Sequence, residues 1–332
     1  GKRVGPMIQK ARPIIKQFIL CVFLVHWLGM CAFGLDPIAI LAPSDVPPDI
    51  GNDFGWSVAI SGDYIAVGAP RDPWSNGSAK GAVYVFRRLG STWVEVAKIT
   101  ALDGNPNDQL GYSVAMDGDV IVAGAPHWIE SFPDSGGPGA IYVFRRHDKG
   151  TPNNPWDDTW PQEVKLTVDR DPEASFLGFS VGVSGDVIVG GRPYACDQHL
   201  GSGEVFRRVF GQWIHETSLF GSEPQPCTVG WSVDIDGDGI VLGADGYDGR
   251  GAAYIFGYDG AEWLEEGRLS NPDSLQLGGG GFGESVSISG DRVAVGVPFS
   301  DEIAPNRGSG SVCIFERNQA AVWSYRVKLT PS

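Results

Sequence analysis

One stretch of the sequence, Phe54–Pro70, returns with variations four more times along the chain. Its anchor is a Gly-x-Ser-Val motif, and successive anchors are 52 to 67 residues apart. The anchor glycines are Gly55, Gly111, Gly178, Gly230 and Gly283. This period is too long for a helical or leucine-rich repeat and fits a four-stranded propeller blade. The repeat therefore restricts the fold more than any other feature of the chain.

Each repeat is predicted to form four short strands. In the first repeat, apolar residues alternate with small or polar ones on both sides of a Ser-Gly-Asp turn at 61–63. The turn glycine can adopt a positive φ, which a minimal hairpin needs. Pro70 ends the second strand because proline cannot donate to a sheet ladder. A third strand that ends in Phe and a fourth that begins near a Trp complete the unit.

The inner positions of a repeat are small, which indicates radial packing. In the first repeat they are Ser57, Ala59, Ala66, Gly68 and Ala69. Only small residues fit where sheets converge on an axis, and larger aromatic residues belong further out. We therefore predict an all-β fold, a β-propeller of five four-stranded blades; the alternative is part of a six- or seven-bladed propeller. The approximate blade ranges are 51–104, 105–171, 172–223, 224–275 and 276–332.

The first 34 residues are predicted to be a helical signal peptide, with Met7 as the start of translation. Basic residues precede an apolar run at 18–29, which ends in the small-residue pattern Ala32-Phe33-Gly34. The alternative is an uncleaved signal anchor, although the run is short for a membrane span. Residues 35–50 then form a lead-in that we expect to add a strand to a blade formed elsewhere and so to close the ring.

The chain is acidic, with a formal net charge of −15. Residues 1–34 contain five basic and no acidic side chains, so the charge without them is −20. Such a surface argues against nucleic acid and anionic membranes as partners, because both are polyanions. We expect a monomeric propeller that is secreted or at the cell surface, with the periplasm as the alternative compartment.

Three cysteines follow the predicted signal peptide. Cys196 and Cys227 lie in two kinds of connection that share one face of a propeller. A Cys196–Cys227 disulfide is therefore one interpretation and suits a secreted protein. Cys313 takes the place of Tyr84 in a third strand and is expected to be a buried thiol. Asn76 begins an Asn-Gly-Ser glycosylation sequon on a loop.

Phe-Gly at 54–55, Gly-Ala-Pro at 68–70 and 124–126, and the Val-Tyr-Val-Phe third strand resemble the FG-GAP repeat. This is the propeller repeat of integrin alpha-subunit heads and of many secreted bacterial and algal proteins. The resemblance covers residues 51–330. It implies an extracellular β-propeller that serves adhesion or ligand binding.

The sequence departs from this family at the calcium loop that many members carry between the first two strands. The tight turn here is too short to supply the six or more oxygen ligands that calcium needs. The nearest match is Asp234, Asp236 and Asp238, but Leu242 stands at the closing position and Asp234 aligns with a strand residue. These three are the calcium candidates, and no other cofactor is expected.

The connections between second and third strands should ring one face of the propeller and carry its ligand-binding residues. The candidates are Asp72, Trp74, Trp128, Asp134, Tyr194, Asp197, Asp245, Asp248 and Asp301. Aromatic residues among polar loops are typical of protein or carbohydrate contact surfaces. The alternative is a solvated acidic rim. His127 and His199 lie in the same connections and are interpreted as solvated loop histidines.

No catalytic motif is present: there is no phosphate loop, CxxC or HExxH. The first hypothesis is a non-enzymatic scaffold for adhesion or for binding a protein or carbohydrate ligand. The second is an extracellular polysaccharide hydrolase or lyase that uses the acidic loops as acid and base. The third is a structural module of a larger surface protein.

Overall fold

The computed structural model describes residues 39–45, 51–72, 79–127, 137–151, 154–168, 175–194, 201–222, 228–245, 251–272, 280–300 and 309–331. These ranges contain twenty β-strands and a short 3-10 helix at Pro155–Asp157. Within them, no helix has the length and apolar character needed to cross a membrane. The predicted signal helix lies outside the described residues.

The strands form five antiparallel sheets, each of four strands in chain order. The first is β1 (Ser57–Ser61), β2 (Tyr64–Ala69), β3 (Ala82–Leu89) and β4 (Thr92–Ile99), and the second is β5 (Ser113–Asp117), β6 (Val120–Ala125), β7 (Ala140–Arg145) and β8 (Gln162–Leu166). The third is β9 (Ser180–Ser184), β10 (Val187–Arg192), β11 (Ser202–Val209) and β12 (Gln212–Leu219). The fourth is β13 (Val229–Asp236), β14 (Gly239–Ala244), β15 (Ala252–Tyr258) and β16 (Trp263–Leu269), and the fifth is β17 (Val286–Ser289), β18 (Arg292–Val297), β19 (Ser311–Arg317) and β20 (Trp323–Leu329). The predicted all-β fold of five four-stranded blades is confirmed.

The hairpin between the first and second strands is the same in every blade. In the first blade Ser61 pairs with Tyr64 across the turn, and Gly62 has a φ of 56°. This left-handed conformation costs glycine little, whereas a side chain would make it unfavourable. The turn glycine of every other blade has a φ between 53° and 56°. The sequence prediction of a tight glycine turn is therefore correct.

A β-bulge between the third and fourth strands also recurs in all five blades. The register shifts between Val85 and Phe86 in the first blade, and at the corresponding Val-Phe or Ile-Phe pair in the others. A bulge increases the local right-handed twist of a sheet. Each blade thus twists at the same place, which keeps the five sheets alike in shape.

Successive blades pack face to face around their first strands. β1, β5, β9, β13 and β17 contact one another in that order, so the first strands are innermost. Apolar layers fill the space between neighbouring sheets; the layer between the first two blades includes Val83, Val85, Ile121 and Tyr142. The stability of the fold therefore comes from the interfaces between blades, since a single sheet could not bury both of its faces.

Cys313 lies in β19 at the position that Tyr84 takes in β3. It pairs with Lys328 across the sheet, as Tyr84 pairs with Lys98. The residue carries a buried thiol, as the sequence predicts.

Candidate functional site

The two ends of the sheets differ in character. One end, the turn face, carries the tight hairpins between first and second strands. The other, the loop face, carries the longer connections between second and third strands. These follow Ala69, Ala125, Arg192, Ala244 and Val297 and differ in length from blade to blade. Variable connections on a constant frame are where binding residues are expected.

Four aromatic side chains lie in a row at the loop face, which we call the aromatic ladder. Each stands between the anchor glycine and the anchor serine; they are Trp56, Tyr112, Phe179 and Trp231. The first three directly precede an innermost strand, and Trp231 is the third residue of β13. Neighbouring ring centroids are 5.4, 5.1 and 4.7 Å apart, with the rings tilted by 46° to 49°. All four are partly exposed. They present a continuous aromatic surface beside the central axis.

The ladder is held in place by hydrogen bonds between blades. In each of the first four blades, the anchor serine donates from its hydroxyl to the carbonyl of the next anchor glycine, over 2.7 to 2.9 Å. The pairs are Ser57 to Gly111, Ser113 to Gly178, Ser180 to Gly230 and Ser232 to Gly283. Each bond ties the backbone next to a ladder residue to the neighbouring blade, and so holds the backbone positions of the four ladder residues relative to one another.

The fifth repeat places Glu284 where the others have an aromatic residue. Sequence analysis missed the ladder, because it assigned large aromatic residues to positions far from the axis. The signal was present as Gly-aromatic-Ser-Val in four of the five anchors. That residue lies at or just before the start of the innermost strand.

A second aromatic cluster joins the second and third blades at the loop face. The ring of Phe176 lies 5.0 Å from that of His127 and 5.3 Å from that of Tyr194. Burial lowers the pKa of His127 below its ordinary value, which favours the neutral ring. Tyr194, a predicted ligand-binding residue, is therefore at the loop face, packed against Phe176. His127 is packed as well, rather than fully solvated as expected.

Asp72 is not part of an exposed acidic ring. Its side chain is completely buried and accepts hydrogen bonds from Asn52 Nδ2 at 3.0 Å and from the Tyr84 hydroxyl at 2.6 Å. Lys98 Nζ lies 2.7 Å from its other carboxylate oxygen and 2.6 Å from Asp45. We call these five residues the first-blade network. The expectation of a solvent-facing Asp72 is wrong, because its carboxylate stabilises the blade from within.

Two shifts in pKa follow from the first-blade network. Burial, helped by the neighbouring carboxylates of Asp72 and Asp45, raises the pKa of Tyr84 far above its ordinary value. Burial alone would raise the pKa of Asp45, but its contacts with Lys98 and Tyr84 outweigh this effect and lower it. Asp45 is therefore held ionised.

The third blade has a buried carboxylate, Glu204, at the position of Tyr84. Glu204 accepts hydrogen bonds from the hydroxyls of Ser202 and Ser218, each at 2.7 Å, and its other contacts are His215 Nε2 at 2.7 Å and Arg192 at 3.6 Å. We call these residues the third-blade network. Burial alone would raise the pKa of Glu204, but its hydrogen-bond partners outweigh this effect and lower it. Both serines and His215 bond to the carboxylate, so no hydroxyl is positioned as a nucleophile on the histidine.

Two of the three calcium candidates, Asp234 and Asp236, accept hydrogen bonds from the fifth blade. Asp234 Oδ2 accepts hydrogen bonds from Ser287 Oγ at 2.9 Å and from the Ile288 amide at 2.8 Å. Burial raises the pKa of Asp234. Asp236 accepts from the Gly290 amide at 2.8 Å, and the Asp238 carbonyl accepts from the Tyr258 amide. Within the described ranges, no group of three or more His, Cys, Asp or Glu residues could hold a metal ion.

The remaining candidates divide into two groups. Asp245 is described and lies directly after β14, half-buried at the loop face. The others lie outside the described residues: Trp74, Asn76, Trp128, Asp134, Cys196, Asp197, His199, Cys227, Asp248 and Asp301. For these the sequence predictions stand as predictions, including the Cys196–Cys227 disulfide.

The turn face carries an ionic cluster that the sequence did not reveal. The buried Asp158 accepts a hydrogen bond from the Tyr64 hydroxyl at 2.6 Å, and that hydroxyl also accepts from Arg146 at 2.5 Å. Arg87 and Arg146 lie 3.8 and 3.7 Å from the same carboxylate. Since Tyr64 belongs to the first blade and Asp158 to the second, the cluster joins two blades.

Comparison with known families gives one match, to the FG-GAP repeat, at residues 38–86, 93–144 and 263–315. Comparison with curated proteins gives no match. Each matched segment ends in the last Phe of a third strand: Phe86, Phe144 or Phe315. The match identifies the repeat and does not by itself extend to integrin heads. The chain therefore belongs to the FG-GAP repeat family, and the matched segments contain strands of the first, second, fourth and fifth blades.

Proposed function

We propose that this protein is a non-enzymatic β-propeller scaffold, secreted or at the cell surface, that binds a protein or carbohydrate ligand through its loop face. Domains made of FG-GAP repeats are typically extracellular. The observation that carries the proposal is the aromatic ladder, a partly exposed row of four rings beside the axis.

A row of partly exposed rings suits a ligand-binding role better than a purely structural one. All four residues are partly exposed at the loop face. Aromatic side chains provide a large contact area at little conformational cost, and they stack on sugar rings and on protein side chains. Glu284 at the end of the row adds a charged group for polar recognition.

The polar groups of the blades support a scaffold rather than an enzyme. The buried carboxylates Asp72 and Glu204 and the partly buried Asp234 each accept hydrogen bonds from the same or a neighbouring blade. A glycosidase needs two carboxyl groups facing one cleft. Of the loop carboxylates that the structure describes, Asp72 is buried and unsuited to that role.

The test is binding of the full chain to a glycan array and to a protein microarray. We expect specific binding on one of them, which Phe179→Ala combined with Trp231→Ala weakens at least about tenfold, equivalent to ~1.4 kcal/mol. The matched control is Trp156→Ala. Trp156 is 67 % exposed but lies at the turn face, and its replacement should leave binding unchanged.

Two results would contradict the proposal. One is that the folded protein, as judged from its circular dichroism spectrum and melting temperature, binds nothing on either array. The other is release of new reducing ends from soluble polysaccharides, or of unsaturated products at 235 nm, which would indicate a hydrolase or lyase.

A further inference from the structure

The outward face of the fifth blade is exposed where every other blade is covered. Leu329 of β20 and its cross-strand partner Val312 are 51 % and 36 % exposed. The residues equivalent to Leu329 are at most 5 % exposed, because the next blade packs on them; they are Ile99, Leu166, Leu219 and Leu269. The fifth blade therefore has an apolar face of the kind that forms four interfaces elsewhere in the molecule.

The first blade has a matching exposed face on its other side. Val58 and Ile60 of β1 are 46 % and 48 % exposed. Their equivalents in the fourth blade, Val233 and Ile235, are buried against the third blade. The exposed faces of the first and fifth blades are thus the two sides of one gap.

The hydrogen bonds between blades also stop at this gap. Besides the anchor serines, the first residue of each turn accepts from the next turn's glycine amide over 2.7 to 3.1 Å. The acceptors are Ser61, Asp117, Ser184 and Asp236. In the part of the chain that the structure describes, both series end at the fifth blade: Ser285 and Ser289 do not continue them to Gly55 and Gly62.

Residues 44 and 45 contact the first blade as the residues after a fourth strand contact the next blade elsewhere in the molecule. Asp45 contacts Lys98 of the first blade as Asp103 contacts Lys165 of the second. The Ser44 amide donates to Glu95, just as the amides of Leu102 and Ser222 donate to Gln162 and Glu265. Leu102 and Ser222 each stand three residues after the last residue of a fourth strand, Ile99 or Leu219. By this correspondence, Leu41 stands where a fourth strand ends.

That fourth strand cannot belong to the fifth blade, which already has β20. The family match agrees, because two of its segments begin at Trp93 and Trp263, in fourth strands, and the third begins at residue 38. Residues 39–41 therefore correspond to the end of a fourth strand that belongs to neither the first nor the fifth blade.

We propose that the gap binds a further FG-GAP sheet, whose three inner strands pack on Val312 and Leu329 and whose fourth strand ends with residues 39–41. A second copy of this chain is a poorer fit, because each of its described sheets already has four strands. The expected occupant is an FG-GAP repeat segment with an anchor glycine carbonyl for Ser285 and a turn glycine amide for Ser289.

The first experiment asks whether the five blades close on themselves. Asp234 and Ser287 are bonded across two blades, and Ala59 is the residue of the first blade equivalent to Asp234. We expect Asp234→Cys with Ser287→Cys to crosslink within one molecule, and Ala59→Cys with Ser287→Cys not to do so. A crosslink of the second pair within one molecule would overturn the proposal. A crosslink of that pair between two molecules would also overturn it, because the exposed face would then bind a second copy of the chain.

The second experiment supplies the occupant. A copy of residues 270–317, which includes β17 to β19, is joined to the carboxyl end of the full chain. We expect the melting temperature to rise by several degrees and the amides of β1 and β20 to exchange more slowly with solvent. The control is the same extended chain with Leu329→Asp, which should lose the gain. An extended chain with unchanged melting and exchange would contradict the proposal, whatever the outcome of ligand binding at the loop face.

Discussion

The first and third blades carry different polar side chains at the same position of the third strand. In the first, Tyr84 stands at the centre of the third strand, the carboxylate comes from Asp72 in the connection, and the cation is Lys98 in the fourth strand. In the third, the carboxylate is Glu204 in the strand itself and the cation is Arg192 at the end of the second strand. In both blades a buried carboxylate is paired with a cation beneath the loop face, but different residues supply the two groups.

This comparison also separates buried charges from exposed ones. Asp72 and Glu204 have no exposed side-chain area, whereas Asp63 and Arg88 form an ion pair in which both side chains are 54 % exposed. Removal of one partner from a buried pair leaves an uncompensated charge, whereas an exposed pair contributes little. The variants that follow are ordered by the size of this effect.

The largest loss is expected for Asp72→Ala. The variant leaves Lys98, Asn52 and Tyr84 without their shared acceptor, so we expect the free energy of unfolding to fall by about 3–5 kcal/mol. Chemical denaturation measures this change. The matched control is Asp63→Ala, for which a loss below about 1 kcal/mol is expected. Equal losses for both variants would show that the buried network contributes no more to stability than an exposed ion pair.

Glu204→Gln should have the next largest effect. The amide keeps the shape of the side chain but has no charge, and its NH2 group faces donors that need an acceptor. We expect a loss of about 1.5–3 kcal/mol, the usual contribution of hydrogen bonds to charged groups. Glu316→Gln is the control, since Glu316 pairs with the exposed Arg292 and Arg326. A stable Glu204→Gln chain would show that the third-blade network does not depend on charge.

Both networks should weaken in acid. The pKa values of Glu204 and Asp45 are lowered in the folded state from their ordinary values of 4.5 and 3.8. Their contribution to stability is therefore present above those values and is lost as the pH falls through the lower folded pKa values. Unfolding free energy measured from about pH 6 to about pH 3 should fall less in Glu204→Gln than in the unaltered chain. Parallel curves would contradict this assignment.

The smallest effect is expected for Ser218→Ala. The variant removes one of the hydroxyl donors to Glu204, at a cost of about 0.5–1.5 kcal/mol. Ser324 of β20 is the control, because its hydroxyl makes only a long contact of 3.4 Å with a carbonyl at an exposed site. Ser324→Ala should leave the denaturation midpoint unchanged. If the two variants behaved alike, Ser218 would have no part in the network.

Much of the fold could be predicted from the sequence, because the features that determine it are local. The anchor motif, the Ser-Gly-Asp type of turn and the alternation of apolar residues each act within a few neighbouring residues. They were sufficient to predict the five sheets, the order of their strands and the position of Cys313. The calcium candidate was also recognised as a strand residue from its alignment with Ala59.

The candidate site could be predicted only in part. Tyr194 was placed on the correct face, but Asp72 was assigned to solvent, because its partners Asn52, Tyr84 and Lys98 come from three separate segments. The aromatic ladder was missed for the same reason: its rings are more than 50 residues apart in the chain and meet only when the innermost strands converge.

The sequence by itself determined the repeat, the sheet and the turn, since these depend on backbone conformation and on the period of apolar residues. Only the tertiary structure decided which polar groups are buried together, which aromatic rings adjoin, and which sheet faces remain uncovered. Those outcomes depend on distances between residues far apart in the chain, and a local pattern carries no information about such distances.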